Sequence, residues 1–425
     1  MKKSLLTIMM IIGVLIITSC SKDAENKNNS EPINIVLTKA EENIAQNEIN
    51  FSLRLLYALA KDDDIKGNTN LFISPYSVNA VLSVLATGAT DKTAGKIYEL
   101  LGYDKNDMES ANSYYSLMNK SLMATDPNST LALANSMWYN TNNIKCEINP
   151  IFESTSKRFY NLHIAGEDFY KNNSSAKENI NKWCEKSTNG LIRDFLTDLN
   201  VSSNLLLLNS VYFNSKWSTG IGFKDTNSVF HSYNGNTKNI RMLTAESVRI
   251  SIVDASNLSC VKIPFGNGAF SFIAIMPNNN DSFNDVICNL KDNIGYAKLN
   301  EYFANTASNW ESISKVVMPE IDITSNINLN KAIESMGGKE IMENVEWNFF
   351  KESMNLHVNQ FLQKSNISLN KDGVKAAAVT EADLWDGDAP LPQMKNKIVL
   401  DHPYIFFISE NSTNTILFSG IVREL

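Results

Sequence analysis

The stretch Asn70-Leu71-Phe72-Ile73-Ser74-Pro75-Tyr76-Ser77-Val78 orders everything around it. Ser74 is suited to cap a helix, and Pro75 suits the first helical position, where a missing N–H costs nothing. Val78 to Ala86 then runs as a mostly apolar helix, which only a thick surrounding body can bury. The composition allows such a body. The chain has 425 residues, 43% hydrophobic and 20% charged, so it can build a large core and is neither disordered nor collagen-like as a whole. That length suits one large domain or roughly two or three smaller ones. Gly 18 and Pro 10 are scarce, which leaves little room for flexible spacers away from the ends. The net charge of -8 gives no basic field to replace phosphate counterions, so no nucleic-acid partner is expected.

Working outward, the apolar spacing of Ile44, Ile49, Phe51, Leu53, Leu55, Leu56 and Leu59 predicts an amphipathic helix over 44–59. Pro150 to Tyr160, with Asn149 as cap, and Ala176 to Lys186 read as helices, and so does Asp107 to Met123. Thr130 to Tyr139 alternates like a strand, and Asn204 to Phe213 reads as a buried central one. Cys260 to Phe265 and Ser271 to Pro277 form a predicted hairpin around Gly266 and Gly268. Further strands are expected at Lys315 to Ile323, Asn366 to Asn370, Ile398 to Leu400, Tyr404 to Ser409 and Thr415 to Val422. Helices come first and strands dominate late, which predicts a mixed α+β domain without repeats.

Lys2 and Lys3 precede an apolar run from Leu5 to Ile17, about the length of a signal-peptide core and short for a membrane span. The run ends in Ile17-Thr18-Ser19-Cys20, which resembles the bacterial lipoprotein cleavage box. The resemblance implies a signal peptide over 1–19, a lipid-modified Cys20 and a cell-envelope lipoprotein of the outer membrane. Ser21 to Pro32 is polar and aperiodic, so 20–38 is expected to be a lipid-anchored flexible tether before a domain over 39–425. Ser21-Lys22-Asp23-Ala24-Glu25 resembles the acidic export tags of some surface-exposed lipoproteins, and a plain linker also fits it. Cys146, Cys184, Cys260 and Cys288 are widely spaced, without Cys-x-x-Cys or a histidine cluster, so no metal site is expected and four buried free thiols are.

Catalytic signatures are missing. The sequence holds no Gly-x-Ser-x-Gly elbow, no His-Glu-x-x-His and no phosphate loop. His163, His231, His357 and His402 read as surface or structural histidines. An enzyme is not expected, nor a cofactor.

In order along the chain, the motifs resemble those of the serpins. Asn70 to Val78 is similar to the serpin Asn-x-x-x-Ser-Pro-x-Ser segment, and Gly88-Ala89-Thr90 to the small turn after it. Ala134-Asn135 follows, then Ile180-Asn181-Lys182-Trp183 with Thr188, Gly190 and Ile192. Leu208-Asn209-Ser210-Val211-Tyr212-Phe213 with Trp217 resembles the strand Asn-Ala-x-Tyr-Phe-x-x-x-Trp. Ile263-Pro264-Phe265, Met276-Pro277, Asp401-His402-Pro403-Tyr404 and Ile416-Leu417-Phe418-Ser419-Gly420 complete the set. The resemblance implies three β-sheets, about eight to nine helices and an exposed reactive-centre loop over about 371–397. It further implies a monomeric inhibitor that traps a serine, or a cysteine, protease covalently, and a shutter-like segment at Ser74, Ser77 and Asn209. The helical stretch 107–123 has no basic cluster, so no heparin dependence is expected.

Lys371-Asp372-Gly373-Val374-Lys375-Ala376-Ala377-Ala378-Val379-Thr380 resembles the serpin hinge, which inserts into the main sheet after cleavage. A strand sliding between two formed strands needs small or apolar inward side chains and no Pro. Val374, Ala376, Ala378, Thr380, Ala382 and Leu384 form one uncharged face; Lys375, Glu381 and Asp383 lie on the other, where solvent is expected. This parity favours an inhibitor over the alternative, a non-inhibitory serpin acting as a surface binding module. The family's hinge acid is Lys371 here, and its lysine partner after the Pro of an upstream strand is Glu320, so a swapped Glu320–Lys371 pair is expected. Counting about fourteen residues from Gly373, as the family does, points to Trp385, Asp386 and Gly387 for the cut, with Asp386–Gly387 first.

Overall fold

A computed structural model of the chain describes residues 31–62, 69–190, 192–248, 250–254, 258–278, 286, 314–343, 345–374 and 396–425. The capped segment found in the sequence is its centre. In α2 (Pro75–Thr87) the Ser74 side chain accepts from Ser77 N at 3.4 Å, and every residue from Pro75 to Ala86 is buried. Four helices pack around it: α1 (Lys39–Lys61), α3 (Asp91–Leu101), α4 (Met108–Ser121) and α5 (Pro150–Tyr160). Asn149 caps α5 as expected, its Oδ1 accepting from Ile151 N at 3.0 Å.

The strands form three large sheets. The main one runs β11 (Ile321–Asn328), β14 (Val358–Asn370), β15 (Gly373–Val374), β4 (Leu205–Lys216), β2 (Thr130–Asn140), β3 (His163–Glu167). A second runs β1 (Leu71–Ile73), β18 (Ile416–Val422), β17 (Tyr404–Glu410), β9 (Phe270–Pro277), β8 (Leu258–Phe265), β7 (Ser251–Asp254). The third is β16 (Asn396–Val399), β10 (Ser314–Pro319), β6 (Thr237–Val248), β5 (Lys224–His231). A small pair, β12 (Val345–Trp347) with β13 (Met354–Leu356), stands apart. The α+β expectation and its three sheets hold.

The main sheet is covered on both faces. Odd-numbered residues of β4, such as Leu205, Leu207 and Val211, belong to the large core with α2; Leu206 and Leu208 lie in a second cluster under α6 (Asn173–Ser187), with Trp138, Ile180 and Cys184. The face on which solvent was expected beside an inserted hinge is therefore closed by α6 at the Leu206–Leu208 level.

Three local expectations change. The single strand read over 315–323 is two, because Pro319 ends β10 in the third sheet and the chain crosses to β11 in the main one. The strand at Asn366–Asn370 is the tail of a longer β14, whose alternating buried and half-buried residues extend back to Val358. The described part of the tether, 31–38, is docked rather than free. Ile33 N and O bond to Thr125, Ile35 N donates to Ser412 Oγ at 2.9 Å, and Ile35 is only 7% exposed. Thr38 and Glu41 then close a capping box on α1. Among the described cysteines, Cys184 is a buried free thiol and Cys260 is buried, whereas Cys146 is partly exposed; Cys288 lies outside the described residues.

Docking of 33–38 makes Ile35 a structural residue. Ile35→Ala is expected to destabilise the native protein by about 2–4 kcal/mol, the range for emptying a buried aliphatic site. The effect would be read as a lower thermal midpoint; a change within about 0.5 kcal/mol, typical of surface positions, would mean the segment carries nothing.

Candidate functional site

The site lies where β14 meets β4. The two strands pair directly and in parallel from Val358↔Leu205 to Ser365↔Val211. Polar residues of their core faces meet α2's first turn there. Gln363 Oε1 accepts from Ser74 N at 2.8 Å, and Gln363 Nε2 donates to Ser74 O at 3.0 Å and to Asn209 Oδ1 at 2.5 Å. Asn209 Nδ2 donates to Ser77 Oγ at 2.5 Å and to Asn135 Oδ1 of β2. All five side chains are buried, Asn135 being the most exposed at 6%. Ser74 Oγ donates to Leu417 O at 2.7 Å, and Ser365 Oγ to Phe72 O at 2.5 Å, which ties the clamp to the second sheet and the chain leading into α2.

Above Ser365 the strands part, and β15 fills the gap. Val374 pairs with Leu369 on one side and Ser215 on the other; Gly373 pairs with Asn370 and Lys216. Gly373 has φ 125°, and a Cβ there would meet Ser215 O at 2.2 Å, so only glycine fits this close turn. Val374 is buried at 1%. Trp217 spans the opening: its Nε1 donates to Asn370 O at 3.0 Å, and its ring stacks on Phe265 with centroids 4.6 Å apart.

The expected Glu320–Lys371 pair does not form. Pro319 sits opposite Met242, which brings Glu320 beside Arg241; Arg241 Nη1 donates to Glu320 Oε2 at 3.3 Å. Lys371, in the turn between β14 and β15, reaches Asp225 of β5 instead, at 3.5 Å. Both partners belong to the third sheet, on adjacent strands: Asp225 of β5 pairs in register with Leu243, two residues along β6 from Arg241. Ala376, Ala377, Ala378 and Thr380, the cut-site candidates Trp385, Asp386 and Gly387, and Cys20 all lie outside the described residues.

Three histidines, His163, His231 and His402, stack on neighbouring rings. His163 stacks on Trp183 at 5.0 Å with its edge contact to Trp138, and burial holds its pKa below the ordinary imidazole value. His231 stacks on His402 at 4.6 Å, and His402 Nδ1 lies 2.6 Å from Asp401 Oδ1. Among the described residues no group of three or more His, Cys, Asp or Glu is placed to hold a metal ion.

A gap between two strands, a hinge seated at its mouth and a polar clamp below are brought together by residues spread over some three hundred positions. The family model for Serpin (serine protease inhibitor) matches residues 46–425. The chain is a serpin. It is 27% identical over 391 residues to an uncharacterized serpin-like protein of Thermococcus kodakarensis, covering 91% of this chain and 87% of that one. It is 26% identical to leukocyte elastase inhibitor A of Rattus norvegicus, over 88% and 97% of the two chains. Among solved structures, the thermophilic serpin tengpin in its native state matches with TM-score 0.77 and 24% identity, over 94% of this chain and 99% of that one. Human thyroxine-binding globulin complexed with its ligand matches with TM-score 0.75 and 20% identity, over 91% and 99%.

Of the serpin's clamp, Ser74, Ser77 and Asn209 were readable in the sequence by resemblance, while Gln363, Ser365 and the bridging role of Trp217 were not. The available signal for Gln363 was a polar residue on the apolar phase of an alternating strand.

The new charge partners are testable. A double-mutant cycle on stability is expected to give at most about 1 kcal/mol of coupling between Asp225→Ala and Lys371→Ala, and none between Glu320→Ala and Lys371→Ala. Coupling in the second cycle alone would restore the direct pair.

Proposed function

We propose that this serpin is an inhibitor that acts as a suicide substrate on a serine, or a cysteine, protease. The protease nucleophile attacks the scissile carbonyl in the loop over about 371–397, the amine side leaves, and the acyl bond to the protease remains. The freed hinge then enters the main sheet and carries the protease with it before water can reach the acyl bond. One bond is cut per molecule, so the serpin is not itself an enzyme; it works as a monomer without a cofactor or a heparin-like activator.

The seated hinge supports this reading most directly. Continuing its register past Val374 would set Ala376 between Ile367 and Phe213, Ala378 between Ser365 and Val211, Thr380 between Gln363 and Asn209, and Ala382 between Phe361 and Leu207. Every one of those β4 and β14 residues is buried. The hinge positions are small where the neighbours are tightly packed, and the single hydroxyl, Thr380, falls at the level of the clamp. There it can replace hydrogen bonds that opening breaks, sparing buried amides a penalty of about 1–3 kcal/mol each. Insertion of about a dozen residues adds ladder bonds worth roughly 0.5–1.5 kcal/mol each, comparable in sum to the roughly 5–15 kcal/mol that holds a protease folded.

We also place the chain as an outer-membrane lipoprotein held by a lipid on Cys20. Mass spectrometry of the mature N-terminal peptide is expected to find acyl chains on Cys20, and Cys20→Ser to release the protein into the soluble fraction.

Incubation with a protease panel is expected to yield a complex stable in SDS and a released C-terminal fragment beginning at Gly387 or Asp386. A fragment starting at Met394 or later would overturn the assigned bond. Ala378→Glu is expected to keep the fold and turn the inhibitor into a cleaved substrate, because an unpaired carboxylate between Ser365 and Val211 costs several kcal/mol. Undiminished complex formation by that variant would count against insertion. Cleavage without any complex, across the panel, would favour the binding-module alternative.

A further inference from the structure

Glu48 on α1 is completely buried, and nothing in the inhibitory cycle uses it. Its Oε1 accepts from Ser52 Oγ at 2.7 Å, while Oε2 has no hydrogen-bond partner among the described residues. Four buried tyrosines from the neighbouring elements feel its charge: Tyr76 of α2, Tyr103 in the turn after α3, and Tyr114 and Tyr115 of α4. Their hydroxyls give it little help. Tyr103 and Tyr115 donate to Asn79 Oδ1, at 3.0 and 2.6 Å, Tyr114 shares a hydrogen bond with Thr415, and Tyr76 has no partner among the described residues. Among the described residues no lysine, arginine or histidine offsets the charge. Desolvation therefore pushes the Glu48 carboxyl up to about 8 against the small opposing pull of Ser52, and the group is protonated at neutral pH.

The location gives this group a reach beyond local stability. Tyr76 stands between Ser74 and Ser77 in the first turn of α2. That turn grips Gln363 and Asn209 on its sheet side, while Tyr76 faces the Glu48 pocket and lies 5.5 Å from the Tyr115 ring. A carboxylate appearing in this unpaired setting must draw in water or displace the tyrosines, one of which, Tyr76, belongs to the turn that holds the clamp.

We propose that Glu48 is a proton-controlled latch on the main sheet: protonated, it keeps the first turn of α2 seated and the clamp closed; ionised, it loosens that turn and lets β14 and β4 part. The latch rests on the inhibitory reading only for its purpose; sheet opening can be read without any protease. Its thermodynamic sign is fixed. The native state holds this proton more tightly than the unfolded chain does, so its contribution to stability falls as pH rises from the ordinary carboxylate range to about 8, then levels off. Above that point the native state itself carries the charge.

Backbone hydrogen exchange of the full chain tests this, comparing wild type with Glu48→Gln at matched pH so that the intrinsic pH dependence of exchange cancels. The wild-type to variant ratio for amides of β4 and β14 is expected to rise with pH above the ordinary carboxylate range, by up to about tenfold per pH unit for linkage of one proton, and to level off above about pH 8. The ratio for β5 and β6 is expected to stay near one throughout. Ser52→Ala, which removes the one donor to the carboxylate, is expected to shift the rise to higher pH, and it keeps the test open should Glu48→Gln fail to fold. A flat ratio for β4 and β14, or an equal rise in β5 and β6, would overturn the latch. Lack of a covalent protease complex would refute the inhibitory reading and leave these ratios unchanged.

Discussion

Gln363 is the side chain on which the rest of the arrangement depends. Its amide bonds the backbone of Ser74 through both its oxygen and its nitrogen, and the nitrogen also reaches Asn209 across the strand boundary. Parallel strands β14 and β4 are thus held together by their ladder and also by a shared grip on the start of a helix. A hydrogen bond of this kind nets only about 1 kcal/mol in exchange with water, yet leaving the buried amide unpaired costs about 1–3 kcal/mol. The clamp is therefore weak as an attraction and strong as a barrier, since separating the strands must first strand several polar groups in the core.

Such a barrier suits a protein whose sheet is already partly open. At the Leu369–Ser215 level the strands have parted far enough to accept Val374, and glycine at 373 lets the backbone turn where a Cβ would come within 2.2 Å of Ser215 O. Trp217 bridges the mouth to Asn370. Between the mouth at Leu369 and the first clamp residue, Ser365, lies only the core-facing level of Ile367. The hinge is seated, the path ahead of it is blocked by polar contacts rather than by covalent structure, and the blocking helix is the one whose other side faces a buried carboxyl. On the proposed inhibitory reading, this layout would put the native form under kinetic rather than thermodynamic control.

What the sequence revealed divides by distance along the chain. The caps of α2 and α5 were readable because Ser74-Pro75 and Asn149-Pro150 act within one helical turn. The long buried strand at Leu205 announced itself by composition. Asn209 could be named through resemblance, but its partner Gln363 lies 154 positions away, and no local rule connects them. The charge swap failed for the same reason. Glu320 and Lys371 are plausible partners on a linear reading, but Pro319 ends one strand just where the chain changes sheets, so Arg241 and Asp225 of the third sheet reach them first. Ile35 was missed because the mostly apolar stretch Ile33-Asn34-Ile35-Val36-Leu37 is too short to establish a period, and its burial against the β17–β18 turn is a tertiary fact.

The closed outer face of the main sheet adds a constraint on any insertion. In the register of β15, residues 381 and 383 would fall beside Leu208 and Leu206, and those two leucines pack beneath α6 in a cluster with Trp138, Ile180 and Cys184. Two carboxylates arriving there cannot share that cluster undisturbed, since each would lose solvent without a fixed counter-charge. One cation is close. Lys364 extends on the same outer face, one step along β14 from the Leu362 level that Glu381 would occupy, and its ammonium now spends its donors on the carbonyls of Arg193 and Asp194. Those carbonyls belong to the segment that follows α6, so recruiting Lys364 to an incoming acid would release that segment. Passage of the loop and displacement of α6 would then be one coupled event, with the acid of the loop supplying the attraction that frees the helix standing in its way.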